Sequence, residues 1–287
     1  MTDASTIWRT ALQTLRQNGR IALADWPADT IAPEQLGLKA EGAFLSMPER
    51  VRLYDEGYLD GQLKQVDATA TLRLFDAVDS TNTAMIRDAQ THGVGGHIYV
   101  AEFQTAGRGR RGRDWIGDFG RNVAMTVGFS FQRQLSDLGG LSCVAGLALI
   151  QVLENLGVKA QLKWPNDVWF EDKKLAGILV ELIQTPRGAS AVIGIGMNVD
   201  LSPEQTSMID QAVVGLRALD VAIAREDLVV AIYDALSVNL TFFAQEGFAR
   251  FVPAFDAVHR LHDSSAVLSS GNTKRAGKVR GVDQDGE

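Results

Sequence analysis

The sequence predicts an α+β fold, and three observations carry that expectation. Between residues 161 and 195, short apolar runs are separated by Pro165-Asn166 and Pro186-Arg187-Gly188, the pattern of sheet strands joined by tight turns. Two longer segments, from Ser136 or Asp137 through Leu156 and from Glu226 to Gln245, repeat apolar residues at helical spacing. A chain of 287 residues with 46% hydrophobic content is also long enough to bury one large core with a small domain beside it.

Residues 5–18 predict a helix, with Ile7, Trp8, Ala11, Leu12 and Leu15 on one face and Gly19 as the stop. Pro27, Pro33, Gly37 and Gly42 then interrupt two alternating pieces, Arg20 to Ala24 and Ala43 to Ser46, which predicts a small β-ribbon or wing. Residues 47–70 are polar and mixed, as in a connector. Leu72, Leu74 and Phe75 mark a strand, and Asp79-Ser80-Thr81-Asn82 offers capping side chains to a helix running on through Ala84 to Gln90. Strands are expected at Ile98 to Phe103 and Asn122 to Phe131. The first long helix presents Leu138, Leu141, Ala145, Ala148, Val152 and Leu156 inward and ends at Gly157. Four strands follow, Gln161 to Trp164, Asp167 to Phe170, Leu175 to Ile183 and Ala191 to Ile195, then the second long helix and a third at Ala249 to Leu261. A hairpin with a Gly271-Asn272 turn, from Ala266 to Ser269 and Lys274 to Val282, begins a small β-domain, and Asp283-Gln284-Asp285-Gly286 is a turn with no strand after it. The expected organisation is an N-terminal segment over 1–66, a main domain over 67–262 and an incomplete β-domain over 263–287.

The formal charge of −7 argues against bulk nucleic-acid binding. Cys143 is the only cysteine, which excludes an internal disulfide, suits a reducing cytosol and reads as a buried thiol in an apolar run. The segment Met1 to Gly19 lacks an apolar signal-like stretch, and no apolar run approaches the roughly 18 residues of a membrane span. A soluble cytoplasmic protein, without a membrane partner, is the expectation.

Against that acidic background, Gln104 to Trp115 packs Arg108, Arg110, Arg111 and Arg113 around Gly107, Gly109 and Gly112. Glycines let a backbone approach a ligand, and guanidinium forks match phosphate and carboxylate oxygens. The spacing Gly107-x-Gly109-x-x-Gly112 matches a dinucleotide fingerprint, but Asp114 to Gly120 is a loop where that fingerprint needs a helix. No phosphate-binding G-x-x-x-x-G-K-S/T exists. Lys163-Trp164-Pro165-Asn166-Asp167 sets a cation, a rigid turn and two acceptors in a row. Lys173 and Lys174 then stand at the mouth of an apolar strand whose Ala176 and Gly177 would let a flat ligand lie on the backbone, and Gly194-Ile195-Gly196-Met197-Asn198 repeats the device. His92, His97, His259 and His262 form no metal-like cluster. Together these groups fit activation of a small carboxylate by a nucleotide triphosphate, with cations stabilising charge as pyrophosphate leaves.

In this order, Asp79-Ser80-Thr81-Asn82, Gln104 to Trp115, Lys163 to Asp167, Lys174 to Glu181 and Gly194 to Asn198 resemble the motif set of bacterial biotin protein ligases, covering Phe75 to Leu261. The resemblance implies a mixed-sheet catalytic domain related to class II aminoacyl-tRNA synthetases, a partial winged-helix remnant before it and a truncated SH3-like β-barrel after it. It implies biotin and MgATP as ligands, biotinyl-5′-AMP as intermediate, and the biotin carboxyl carrier protein of acetyl-CoA carboxylase as partner. Ser80, Thr81, Asn82 and Gln104 would hold the biotin head group. Arg108, Gly109 and Arg110 would close over biotin and its acyl phosphate, and Lys174 would stabilise the carboxylate and α-phosphate. Arg111, Arg113, Lys163, Asn166, Asp167 and Asn198 would handle the ATP phosphates, with Mg²⁺ carried in by ATP near Asp167 and no protein cluster dedicated to it. The arginine loop would be a lid, disordered when empty and folded over the adenylate.

Where the family often carries a tryptophan over adenine, Ala212-Val213-Val214 stands, so aliphatic packing is expected there. Thr6 to Gly19 resembles the recognition helix of a repressor without the two helices that precede it, so docking on operator DNA is not expected. The family also implies homodimerisation through sheet edges. The alternatives are a lipoate ligase of the same superfamily and a biotin-sensing repressor.

Overall fold

The computed structural model of the chain describes residues 4–27, 31–48, 51–186, 188–270 and 273–287, with side chains for all but 4–9, 269, 270 and 273. The side chains of Ile7 and Trp8, the residue Arg187 and the Gly271-Asn272 turn lie outside the described residues.

Helix α1 (Ala4–Asn18) stops at Gly19, whose φ of 68° suits a residue without Cβ. Three short strands follow, β1 (Arg20–Ala22), β2 (Lys39–Glu41) and β3 (Phe44–Ser46), in the antiparallel order β1-β3-β2. Leu12 and Leu15 of α1 close a small core with Ile21, Leu36, Leu45 and, from the far side of the arginine loop, Phe119. The ribbon expected from Arg20 to Ser46 therefore forms, with Arg20 opposite Ser46 in register.

Residues 47–70 are more than a connector. Asp55 Oδ1 accepts from Tyr58 N at 2.9 Å and caps α2 (Glu56–Val66), which buries Leu59 and Leu63 in the main core. Two leucines four residues apart suffice to seat a helix, and the polar majority on its outer face hides that spacing in the sequence.

The main sheet has seven strands: β4 (Thr71–Phe75), β5 (His97–Ala101), β6 (Val123–Phe131), β7 (Gln161–Lys163), β8 (Asp167–Phe170), β9 (Lys173–Thr185) and β10 (Gly188–Met197). Their order is β4-β5-β6-β10-β9-β8-β7, with β4 and β5 parallel and every other pair antiparallel, so the sheet is mixed. Alternation along β10 sends Ile193, Ile195 and Met197 into the main core, while Val192 on the opposite face packs with Ala84 and Met85 of α3 (Thr81–His92). Gly194 and Gly196 share that second face, beside Thr126 and Ala124 of β6 and Leu179 and Gly177 of β9.

Helix α4 (Leu141–Asn155) starts later than Ser136 or Asp137, which lie in a separate single turn, Leu135–Leu138. Gly140, at φ 74°, separates the two. The expected amphipathic stripe is also too narrow: α4 is buried around most of its circumference because the sheet and α6 (Arg225–Glu246) pack on it together. Cys143 is buried in α4, and burial pushes its thiol pKa up to about 12, which leaves it inert as a nucleophile. Leu135–Asn155 and Arg225–Glu246 are long and apolar enough to cross a membrane by length and composition, contrary to the expectation that no run approaches that length; their apolar character serves the protein core instead. After α5 (Pro203–Met208), α6 and α7 (Val252–Val258), the chain pairs His259 with Leu162, and Arg260 N donates to Leu162 O at 2.8 Å. That pairing ends the third helix short of Leu261. Strands β11 (Ser265–Ser270) and β12 (Thr273–Lys278) form the C-terminal hairpin, and the last turn is tied back by Trp164 Nε1 donating to Gly286 O at 2.9 Å.

Candidate active site

The second face of β10 forms the floor of a cavity of about 1210 Å³, walled by the N-terminus of α3, the arginine loop and the C-terminal hairpin. Ser80, Thr81 and Asn82 enter it from the first turn of α3 and are all buried. Thr81 N donates to Gln104 Oε1 at 2.9 Å, which fixes the Gln104 amide at the mouth of the arginine loop. Thr126 Oγ1 lies 2.7 Å from Asn82 Oδ1, to which it donates, and 2.7 Å from Thr81 Oγ1. Asn82 Nδ2 donates to Leu179 O at 3.2 Å and to Glu181 Oε2 at 3.0 Å. A Cβ at position 194 would fall 2.2 Å from Asn82 Oδ1, so the glycine there makes room for this amide. This end of the cavity is neutral and internally hydrogen-bonded.

The flat group lying on the remaining glycines is part of the protein. The Trp115 indole covers Gly196, where a Cβ would meet the ring at 2.2 Å, and reaches Gly177, where the distance would be 3.1 Å. Beside it, Lys174 Nζ sits 2.9 Å from Asp167 Oδ1 and 5.6 Å from the indole centroid. Lys174 is braced through its backbone as well: its N–H donates to Ala212 O at 2.9 Å, and its carbonyl accepts from Val214 N at 3.0 Å and from Asn198 Nδ2 at 3.3 Å. The aliphatic segment 212–214 is thereby fixed next to the lysine.

Asn166 and Asp167 come from the turn between β7 and β8, which contains a cis Trp164–Pro165 peptide. Asn166 Nδ2 donates to Ile178 O at 2.7 Å, and its Oδ1 accepts from Arg110 at 3.3 Å. Lys163 stacks on the Trp169 ring at 4.2 Å. The arginine loop closes on itself through Gly109 N to Arg113 O at 2.7 Å and Trp115 N to Gly107 O at 2.9 Å. Arg108 reaches Glu181 Oε1 at 2.6 Å and Thr83 Oγ1 at 3.0 Å. Arg111 and Arg113 are exposed at the cavity rim and make no ion pair among the described residues. One cavity therefore gathers every residue given a binding or catalytic role from the sequence, while Lys173 and Ala176 lie outside its lining, and Asn198 meets the Lys174 carbonyl.

Sequence reasoning passed over several further groups. Thr126 is one of two hydroxyls in the apolar strand β6, the other being Ser130 on the same face, a signal available from alternation. Glu181 is recognisable only once β9 has been placed beside Asn82. His259 lines the cavity from the chain after α7 with both ring nitrogens buried and without a hydrogen-bond partner; burial lowers its pKa below the ordinary 6.5. Among the described residues, no three His, Cys, Asp or Glu side chains gather as a metal cage.

Comparison with known proteins places this geometry in a family. The Biotin/lipoate A/B protein ligase family matches residues 74–198. The bifunctional ligase/repressor BirA of Escherichia coli K12 is 32% identical over 266 residues, covering 92% of this chain and 79% of that protein. The biotin–[acetyl-CoA-carboxylase] ligase of Mycobacterium tuberculosis is 36% identical over 184 residues, covering 58% of this chain and 67% of that protein. The Aquifex aeolicus biotin protein ligase, solved with biotin and ATP, superposes with a TM-score of 0.63 at 27% identity, over 75% of this chain and 89% of that one. With a relative this similar along most of both lengths, the chain belongs to the biotin protein ligase family.

Proposed function

We propose that the cavity activates biotin with ATP and hands it to a lysine of a biotin carboxyl carrier protein. In the first step a biotin carboxylate oxygen bonds to the α-phosphorus, and the bond to the β-phosphate breaks to release pyrophosphate. In the second, the carrier lysine nitrogen bonds to the acyl carbon, AMP leaves with the electron pair, and the amine proton passes to solvent. Ser80, Thr81, Asn82 and Gln104 hold the head group. Arg108, Gly109 and Arg110 cover the acyl phosphate, and Arg111, Arg113, Lys163, Asn166 and Asn198 border the nucleotide. Lys174 stabilises charge building on the α-phosphate and forms no covalent bond.

One observation carries this reading: Lys174 stands between a neutral, amide-lined end and an arginine-rich rim of a single cavity, held there by Asp167 at 2.9 Å. At about 1210 Å³ the cavity has room for a vitamin-sized acid and a nucleotide together. Asp167, whose Oδ1 is engaged by Lys174, would help hold the magnesium that accompanies ATP, which would offset the charge of the phosphates. The arginine loop acts as a lid whose closure, favoured by ligands, keeps water off the mixed anhydride.

The test is to incubate the protein with biotin, MgATP and a carrier domain. Covalent biotin on the carrier and biotin-dependent pyrophosphate release are expected, and absence of both overturns the reading. A lipoate ligase is the second reading; the donor-seeking Asn82 end favours the ureido ring of biotin over a dithiolane, and direct competition between the two acids decides. For the outlying units, α1 with β1–β3 is a winged-helix-like unit, β11 and β12 belong to a small β-domain, and the working protein is a cytoplasmic homodimer. Sedimentation with and without biotin, and an operator-shift assay expected to be negative, test those assignments.

A further inference from the structure

Glu181 is absent from the chemistry assigned above, yet its carboxylate joins the cavity floor to the arginine loop. Oε2 accepts from Asn82 Nδ2 at 3.0 Å, and Oε1 accepts from Arg108 at 2.6 Å. Asn82 belongs to the fixed floor: it is 3% exposed, its Nδ2 also bonds to Leu179 O, and its Oδ1 takes the Thr126 hydroxyl. Arg108 belongs to the loop between β5 and β6, which is also held by Arg110 on Asn166 and by the Trp115 indole on Gly196. Position 181 lies opposite Val192 in the antiparallel pairing of β9 with β10, so the carboxylate stands on the most regular part of the sheet.

We propose that Glu181 is a positioning residue with two duties, latching the arginine loop through Arg108 and setting which way the Asn82 amide faces. With both N–H donors of Asn82 committed to Leu179 and Glu181, the amide presents to a ligand only the remaining lone pair of Oδ1. An acceptor without a free donor selects a ligand that brings N–H groups, as a cyclic urea does, and offers nothing to a ring of carbon and sulfur. The same carboxylate makes loop closure depend on a correctly oriented floor. This rests on the biotin reading for the identity of the ligand and on the geometry alone for the latch.

Two substitutions separate the duties. Glu181→Gln keeps an oxygen for Asn82 but places a neutral amide against Arg108. Glu181→Leu removes both partners while keeping a side chain that suits a strand. Because Arg108 is 44% exposed at its side chain, the ion pair is worth a modest factor. In Glu181→Gln, trypsin should cut the loop about threefold to fivefold faster than in the parent and the adenylate should leave the enzyme faster by a similar factor, with the biotin KM within about twofold. In Glu181→Leu the biotin KM should also rise about tenfold, because a buried Asn82 donor loses its partner. Melting temperatures measured alongside identify any variant that has simply unfolded. The cleavage comparison is made without biotin or ATP, so failure of the parent to form adenylate removes the ligase reading while the latch is still read. Equal loop cleavage and equal adenylate release in Glu181→Gln and parent overturn the latch, and an unchanged biotin KM in Glu181→Leu overturns the second duty.

Discussion

The two ends of the cavity solve opposite problems. At the α3 end, Thr81, Asn82, Gln104 and Thr126 are linked by hydrogen bonds, and Asn82 is tied further to Leu179 O and the Glu181 carboxylate. At the other end, Lys174 is balanced by Asp167, and Arg110 rests on Asn166, while Arg111 and Arg113 remain exposed. A network in which both Asn82 donors and the Thr81 and Thr126 hydroxyls are engaged suits reading shape and hydrogen-bond direction, and it has little freedom to rearrange. Cations on long side chains, from the Asp167-paired Lys174 to the exposed Arg111 and Arg113, can exchange an internal counter-charge or solvent for a phosphate. On the proposed reading, recognition falls to the rigid end and charge handling to the adjustable one.

The sharpest way to break that division is Lys174→Ala. Adenylate formation, read by biotin-dependent pyrophosphate exchange, should fall by about 10³-fold while biotin affinity changes little. Equal activity of mutant and parent would place the charge stabilisation elsewhere. Gly194→Val attacks the opposite end: its side chain would occupy the space of the Asn82 amide, so biotin binding measured by calorimetry should weaken by the equivalent of about 1–3 kcal/mol. ATP binding should be retained, and loss of both affinities together would mean that the two ends are not separable. Thr126→Val is nearly isosteric and fully buried, and removal of its hydroxyl from Asn82 and Thr81 should weaken biotin about fivefold.

The smallest effect is a pH dependence at the charged end. Burial depresses the pKa of His259, so the folded state binds that proton less readily than the unfolded chain. Its contribution to stability is therefore intact above 6.5, the ordinary histidine value, and declines as pH falls from there toward the lowered folded-state pKa. Asp256 and His262 both face this titration, the first favouring protonation of His259 and the second opposing it. Thermal melts between pH 7.5 and pH 5.5 should show a steeper decline in the parent than in His259→Leu, and parallel slopes would assign the titration to other groups.

Much of this was legible in the sequence because its signals were local. Gly19, Gly157 and Gly247 stop helices, the alternation of β9 and β10 survives in the residue order, and the arginine loop stands out from an acidic chain. What sequence reasoning missed depends on long-range packing. Helix α2 is seated by Leu59 and Leu63 against elements far along the chain, and Ser136 and Asp137 look like caps until Gly140 breaks the helix. Glu181 and Thr126 come within hydrogen-bond reach of Asn82 through the pairing of β6, β10 and β9, from 99 and 44 positions away along the chain. Gly177 and Gly196 looked like a platform for a flat ligand, and the correct geometric idea had the wrong occupant, since Trp115 already lies there.

That indole has a practical consequence. Tryptophan emission responds to nearby charge and to water, and Trp115 sits 5.6 Å from an ammonium at the point where nucleotide and acid would meet. Among the described tryptophan side chains, Trp164 also lines the cavity, but Trp115 is the one on its floor beside Lys174, so the protein carries its own optical probe of occupancy. Stopped-flow emission, with Trp115→Phe as the silent control, would time loop closure and adenylate formation without any label attached.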